Sequence, residues 1–170
     1  WQGELSPWAA PAIFGKHEFA GNASVLLSEL ESFWNWFRCE YQIESDQLYL
    51  CGYSLAGLFA LWSSCQTNLF KKVAAVSPSV WYKGFVDYLD QHLIHTNEVY
   101  LSLGDKEANA KNKVMSTVGT CFESVIQILQ KQNIPLTYAY NPGNHFQDVE
   151  LRMIKGIQSL LLGGRKEEKQ

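Results

Sequence analysis

A chain of 170 residues with 46% apolar, 18% charged and 14% aromatic side chains is long enough to bury a core without disulfides or metals, and it has the composition of a globular domain. A formal net charge of -3 with scattered Lys and Arg argues against the basic stripe that nucleic-acid binding requires. No run approaches the ~20 apolar residues of a membrane span and no charged-then-apolar leader is seen, so the expectation is a soluble, cytoplasmic protein with neither membrane nor nucleic acid as partner. Cys39, Cys51, Cys65 and Cys121 lack the close pairing of a zinc site and are too sparse for a disulfide scaffold, which predicts reduced, mostly buried thiols.

Residues 1–22 mix turn formers and aromatics with neither helical nor alternating periodicity, which predicts an extended loop. Leu27, Leu30, Trp34, Phe37 and Tyr41 then recur at three- and four-residue steps, predicting an amphipathic helix from Ser24 to about Tyr41, capped by Asn22 or Ser24. "QLYLC" reads as the first strand and about Leu55–Cys65 as a helix. "KKVAAVSPS" is a second apolar run stopped by Ser-Pro, "FVDYLDQHLI" a short helix, and "EVYLSLGD" a third strand ending in a Gly-Asp turn. The pattern continues with a long helix from about Asn109 to Gln132, for which "KEANAKNK" is the solvated start. "PLTYAY" is the fourth strand, "NPGNH" a loop, and Phe146 to Leu162 the last helix. With no repeat and no linker, residues 1–170 form one domain, closed by a solvated tail at 163–170. Strands alternating with helices imply a mainly parallel sheet covered on both faces, a three-layer α/β/α sandwich.

In such a sheet, ligands bind where the loops gather at the carboxyl ends of the strands. Ser54 follows the first strand there, Ser77 and Ser79 the second, Asp105 and Glu107 the third, and Asn144 and His145 the fourth. A serine, a carboxylate and a histidine at one sheet edge are the set that nucleophilic acyl transfer requires. Ser54 would stand on a tight strand-to-helix turn, with Gly52 and Ala56 leaving room on either side and Gly57 letting the helix approach the sheet. Leu55 would offer its backbone N–H, at the positive end of that helix, to an oxyanion. His145 would carry the serine proton, and a carboxylate would hold its other nitrogen. Glu107 and Asp105 are adjacent choices for that acid, with Asp148 a distant third. His92 and His95 lie three apart, but no third ligand is near in sequence, so they predict a solvent-facing helix end and no metal site.

"GYSLAG", "LGDKE" and "GNHFQD", in that order, resemble the α/β-hydrolase superfamily, in particular the esterase family that includes siderophore esterases and esterase D-like enzymes. The resemblance implies an α/β-hydrolase-like fold and a serine hydrolase of carboxylic esters or lactones, siderophore-type trilactones and small acyl esters among them. No cofactor is implied. In that family the acid lies three residues after the strand-end glycine, which lands on Glu107 counted from Gly104. The resemblance also implies that Trp81 and Tyr82, with Tyr53 beside the serine, wall the substrate pocket.

Two departures accompany the likeness. Ala56 stands where the family's elbow most often has glycine. Several strands that precede the matching region in relatives have no counterpart here, so the fold is expected to be shortened at its N-terminal side. In relatives those strands supply the second oxyanion donor, so the expectation here is either an incomplete hole or a second donor from the loop near Trp1 to Ser6. The alternative expectation is a non-catalytic hydrolase-fold remnant, acting as a binding or dimerising module through the sheet edge that the shortening exposes.

Overall fold

The computed structural model describes residues 2–13 and 15–163. Of the expected tail, 164–170 lies outside the described residues. The first 22 residues, expected as loop, hold a short antiparallel pair, β1 (Ala9–Ala10) and β2 (Phe19–Ala20), with Ala9 opposite Ala20. Two-residue strands are too short to display a period of two, which is why periodicity does not reveal them. The elements that follow are α1 (Ala23–Glu40), β3 (Leu48–Tyr53), α2 (Leu55–Ser63), β4 (Phe70–Val76), α3 (Phe85–Gln91) and β5 (Glu98–Gly104). The chain ends with α4 (Val118–Lys131), β6 (Leu136–Asn141) and α5 (Val149–Leu162).

The four longer strands form one parallel sheet in the order β3-β4-β5-β6. Val73, Ala75, Leu101 and Leu103 on one face pack with Leu58 and Phe59 of α2 and with Phe122 and Val125 of α4. Ala74, Val76 and Tyr100 on the opposite face meet Leu160 and Met153 of α5. The expected three-layer α/β/α sandwich is therefore observed. Strands buried on both faces read as nearly continuous apolar runs, as β4 and β5 do. Gly156 allows α5 to lie close on the sheet, since a Cβ there would stand 2.9 Å from Val76 Cγ2.

Two expectations about helices need correction. The helix expected over Asn109–Gln132 is two separate single turns of 3-10 helix, Glu107–Asn109 and Met115–Thr117, followed by α4. Asn112 is the cause: its Oδ1 accepts the backbone N–H groups of Val114 and Met115, and its Nδ2 donates to Ile13 O, so local bonds replace the helical ladder. The last helix starts at Val149 rather than Phe146 because Asn144 to Gln147 close a turn of their own, with Gln147 Oε1 accepting Asn144 N–H. On α1, Asn22 takes the cap position without a side-chain cap bond. Burial fades along that helix from Ala23 and Leu27 to Phe33 and Trp36, each 54% exposed, whose rings pack on one another.

Only Cys65 of the four thiols is buried, and burial pushes it up to about 12; Cys39 is exposed, and Cys51 and Cys121 are half-buried. Among the described residues, no helix is long and apolar enough to cross a membrane and no His, Cys, Asp or Glu cluster could hold a metal ion.

Candidate active site

Ser54 joins β3 to α2 at φ 58° and ψ -119°, a backbone conformation that costs a non-glycine residue about 1–3 kcal/mol. The turn is held by its own main chain. Ser54 N–H donates to Val76 O at 3.0 Å, and Ser54 O accepts from Leu58 N–H and Ser79 N–H. Gly52 is required two residues earlier, because a Cβ there would come within 2.2 Å of Ala56 O. The result projects a half-buried hydroxyl at the carboxyl edge of the sheet.

The loop after β6 brings His145 to that hydroxyl, with Nε2 3.0 Å from Ser54 Oγ. Nδ1 of the same ring lies 2.7 Å from Glu107 Oε2, in the first turn after β5. Three strands thus deliver Ser54, His145 and Glu107 into one hydrogen-bonded line. Asp105, the other carboxylate of that turn, points elsewhere: its Oδ1 accepts Gly143 N–H at 2.7 Å and supports the histidine loop. Asp148 precedes α5 in a left-handed conformation.

Glu107 is 6% exposed and its second oxygen is fully used. Oε1 accepts Gly104 N–H at 2.7 Å and Arg152 Nη1 at 3.0 Å. Burial alone would push this carboxyl up, but the bonds with His145, Ser77 and Gly104 N–H outweigh it and hold it below the ordinary glutamate value of 4.5. A lowered carboxylate contributes stability that is present above 4.5 and is lost as pH falls through the folded value. Thermal melts of the parent below pH 4.5 are therefore expected to fall with acidity more steeply than those of Glu107→Gln; parallel curves would contradict this.

Of the three residues expected to wall the pocket, only Trp81 does so. A cleft of about 580 Å³ opens beside His145, with Pro78, Trp81, Met115, Phe146, Lys106 and Lys111 on its walls. Tyr82 faces the other way, 2% exposed, with its ring edge-on to Phe19 and its hydroxyl donating to Trp8 O. The Tyr53 hydroxyl donates to the His145 carbonyl at 2.6 Å, so this residue braces the histidine and does not line the cleft.

Leu55 is the first residue of α2, where a backbone N–H has no intrahelical acceptor. The segment expected to supply a second donor anchors α1 through its carbonyls, with Gly3 O accepting Asn22 N–H and Ser6 O accepting Ala23 N–H. Trp1 lies outside the described residues. Among the described residues, the bonds of Gly3 and Ser6 do not reach Leu55.

Sequence reasoning missed Arg152 and the bracing role of Tyr53. Arg152 is 1% exposed and contacts the acid from α5. Its signal was present: with Gly156 and Leu160 it forms an i, i+4, i+8 stripe, the buried face of that helix.

No family model and no curated protein matches the chain. Solved structures do. The chain is similar to the siderophore hydrolase EstA from Aspergillus nidulans at TM-score 0.72 and 18% identity, over 96% of this chain and 66% of that one. It is similar to the siderophore hydrolase EstB from the same organism at TM-score 0.71 and 17% identity, over 93% of this chain and 63% of that one. The enterobactin esterase FES from Shigella flexneri matches at TM-score 0.63 and 16% identity, over 83% of this chain and 39% of that one. The chain thus spans less than two thirds of the length of these structures, and its fold is of the α/β-hydrolase type.

Proposed function

We propose that this α/β-hydrolase fold is a serine esterase that cleaves carboxylic esters or lactones through an acyl-enzyme. The observation that carries the reading is the unbroken hydrogen-bonded line from Ser54 Oγ through the His145 imidazole to Glu107, at 3.0 and 2.7 Å. In this reading Ser54 Oγ attacks the ester carbonyl carbon while His145 Nε2 takes its proton. The carbonyl oxygen becomes an oxyanion and accepts the Leu55 N–H at the positive end of α2. Collapse breaks the bond to the leaving oxygen, which leaves as an alcohol with the proton that His145 returns. Water then repeats the sequence on the acyl-serine, releasing the acid and restoring Ser54.

Glu107 stays ionised in this cycle, fixes the imidazole so that Nε2 faces the serine, and stabilises the imidazolium that forms. Trp81, Met115 and Phe146 give the cleft the apolar walls on which an acyl group or an aromatic ester body can lie. The neighbours named as siderophore hydrolases and as an enterobactin esterase add siderophore-type esters and trilactones to the substrates worth screening. The chemistry needs no metal and no organic cofactor.

Mass spectrometry of the protein quenched during turnover of an activated acyl ester tests the mechanism. The expected result is one acyl adduct on the peptide carrying Ser54, absent from Ser54→Ala. Ester turnover with the adduct on any other residue, or with none in the quenched parent, would contradict it.

A further inference from the structure

The guanidinium of Arg152 uses all four of its terminal N–H groups on the loops that carry the site. Nη1 donates to Glu107 Oε1 at 3.0 Å and to Ser77 Oγ at 3.2 Å. Nη2 donates to Pro142 O at 2.9 Å and to Asn144 O at 3.0 Å. These acceptors belong to three segments: Ser77 follows β4, Glu107 follows β5, and Pro142 and Asn144 precede His145 in the loop after β6. A planar fork with fixed donor directions fits such a set, and a point charge on a flexible stem does not.

We infer that Arg152 is a positioning residue, which holds Glu107 and the His145 loop in one register so that the imidazole stays aligned between acid and serine. The inference rests on the esterase reading above. Arg152 touches neither Ser54 nor the imidazole ring, and it acts through the groups that do. Its Nη1 occupies the outer oxygen of Glu107 and leaves Oε2 for His145 Nδ1. Its Nη2 fixes the carbonyl just before His145, while the Tyr53 hydroxyl fixes the carbonyl of His145 itself. The backbone on both sides of the imidazole is thereby clamped. Arg152 comes from α5, the helix on the opposite side of the sheet from α2, so the site's alignment depends on how α5 is seated.

A double-mutant cycle read by the second-order rate of fluorophosphonate labelling of Ser54 tests this, with thermal melts confirming that each variant is folded. Arg152→Met is expected to label roughly 30- to 100-fold more slowly than the parent, in line with coupling between groups in contact. In the Glu107→Gln background the same substitution is expected to cost clearly less than in the parent, because the route through the acid is already cut and only the hold on the Pro142 and Asn144 carbonyls is left to lose. Arg152→Lys keeps the charge without the fork and should label at an intermediate rate; should Arg152→Met fail to fold, Arg152→Lys in both backgrounds carries the cycle. A folded Arg152 variant that labels at the parent rate, or loses as much in the Glu107→Gln background as in the parent, overturns the positioning role alone. A parent whose Ser54 does not label overturns the esterase reading and this inference with it.

Discussion

Ser54→Ala is expected to lower kcat/KM for any ester the protein turns over by roughly 10⁴-fold or more, with a melting temperature close to that of the parent. The nucleophile and base act as a unit, so deleting the oxygen that bonds to carbon removes the covalent route entirely. The fold should barely notice. The Ser54 hydroxyl makes its bond to His145 Nε2 and a long 3.4 Å contact with Ser79 Oγ, while the turn is held by backbone bonds that alanine retains. Alanine also keeps the same positive φ at the same cost, since serine gains nothing there from its side chain. His145→Ala should match Ser54→Ala in activity within about tenfold, because either loss disables the same unit. Activity that survives either change at parental levels would mean that hydrolysis occurs elsewhere.

Gly52→Ala is expected to destabilise the protein by roughly 3 kcal/mol or more and to abolish labelling of Ser54 in whatever fraction stays folded. The added Cβ would lie 2.2 Å from Ala56 O and 2.4 Å from Ala56 C, with Gly57 N at 2.8 Å. All three are backbone atoms of the first turn of α2, so no side-chain rotation relieves the clash. Relief requires α2 to move away from β3, which carries Ser54 off the His145 ring and breaks the packing of Leu58 and Phe59 on the sheet. A urea titration with a midpoint equal to that of the parent would contradict this account of the elbow.

Much of the fold was legible because parallel strands buried on both faces write themselves as apolar runs, and β4 and β5 do so plainly. Ser54, His145 and the pair Asp105 and Glu107 were legible for a related reason: they are polar residues in the segments that follow the strands, and parallel strands bring their ends to one edge. The choice between Asp105 and Glu107 was not open to periodicity. It follows from the resemblance, and its physical reason is the tight turn after Gly104, which sends one carboxylate to Gly143 N–H and the other to His145.

Trp81 and Tyr82 show where local pattern stops. Adjacent side chains in a turn diverge, and only the three-dimensional path of β1 and β2 shows that Tyr82 is claimed by Phe19 and Trp8. Arg152 escaped for the opposite reason, since a charged residue on a helix reads as solvent-facing until its stripe is found to be the buried one. Asn112 likewise interrupts an otherwise helical stretch through side-chain bonds that composition does not reveal.

The central claim is that the line from Ser54 to Glu107 makes the serine a nucleophile. Incubating the folded protein with a fluorophosphonate probe near neutral pH, beside Ser54→Ala and His145→Ala, tests it without knowledge of the substrate. The account predicts stoichiometric labelling of the parent at Ser54 and none in either variant. A folded parent that takes up no probe, or a His145→Ala variant that labels as fast as the parent, would contradict it.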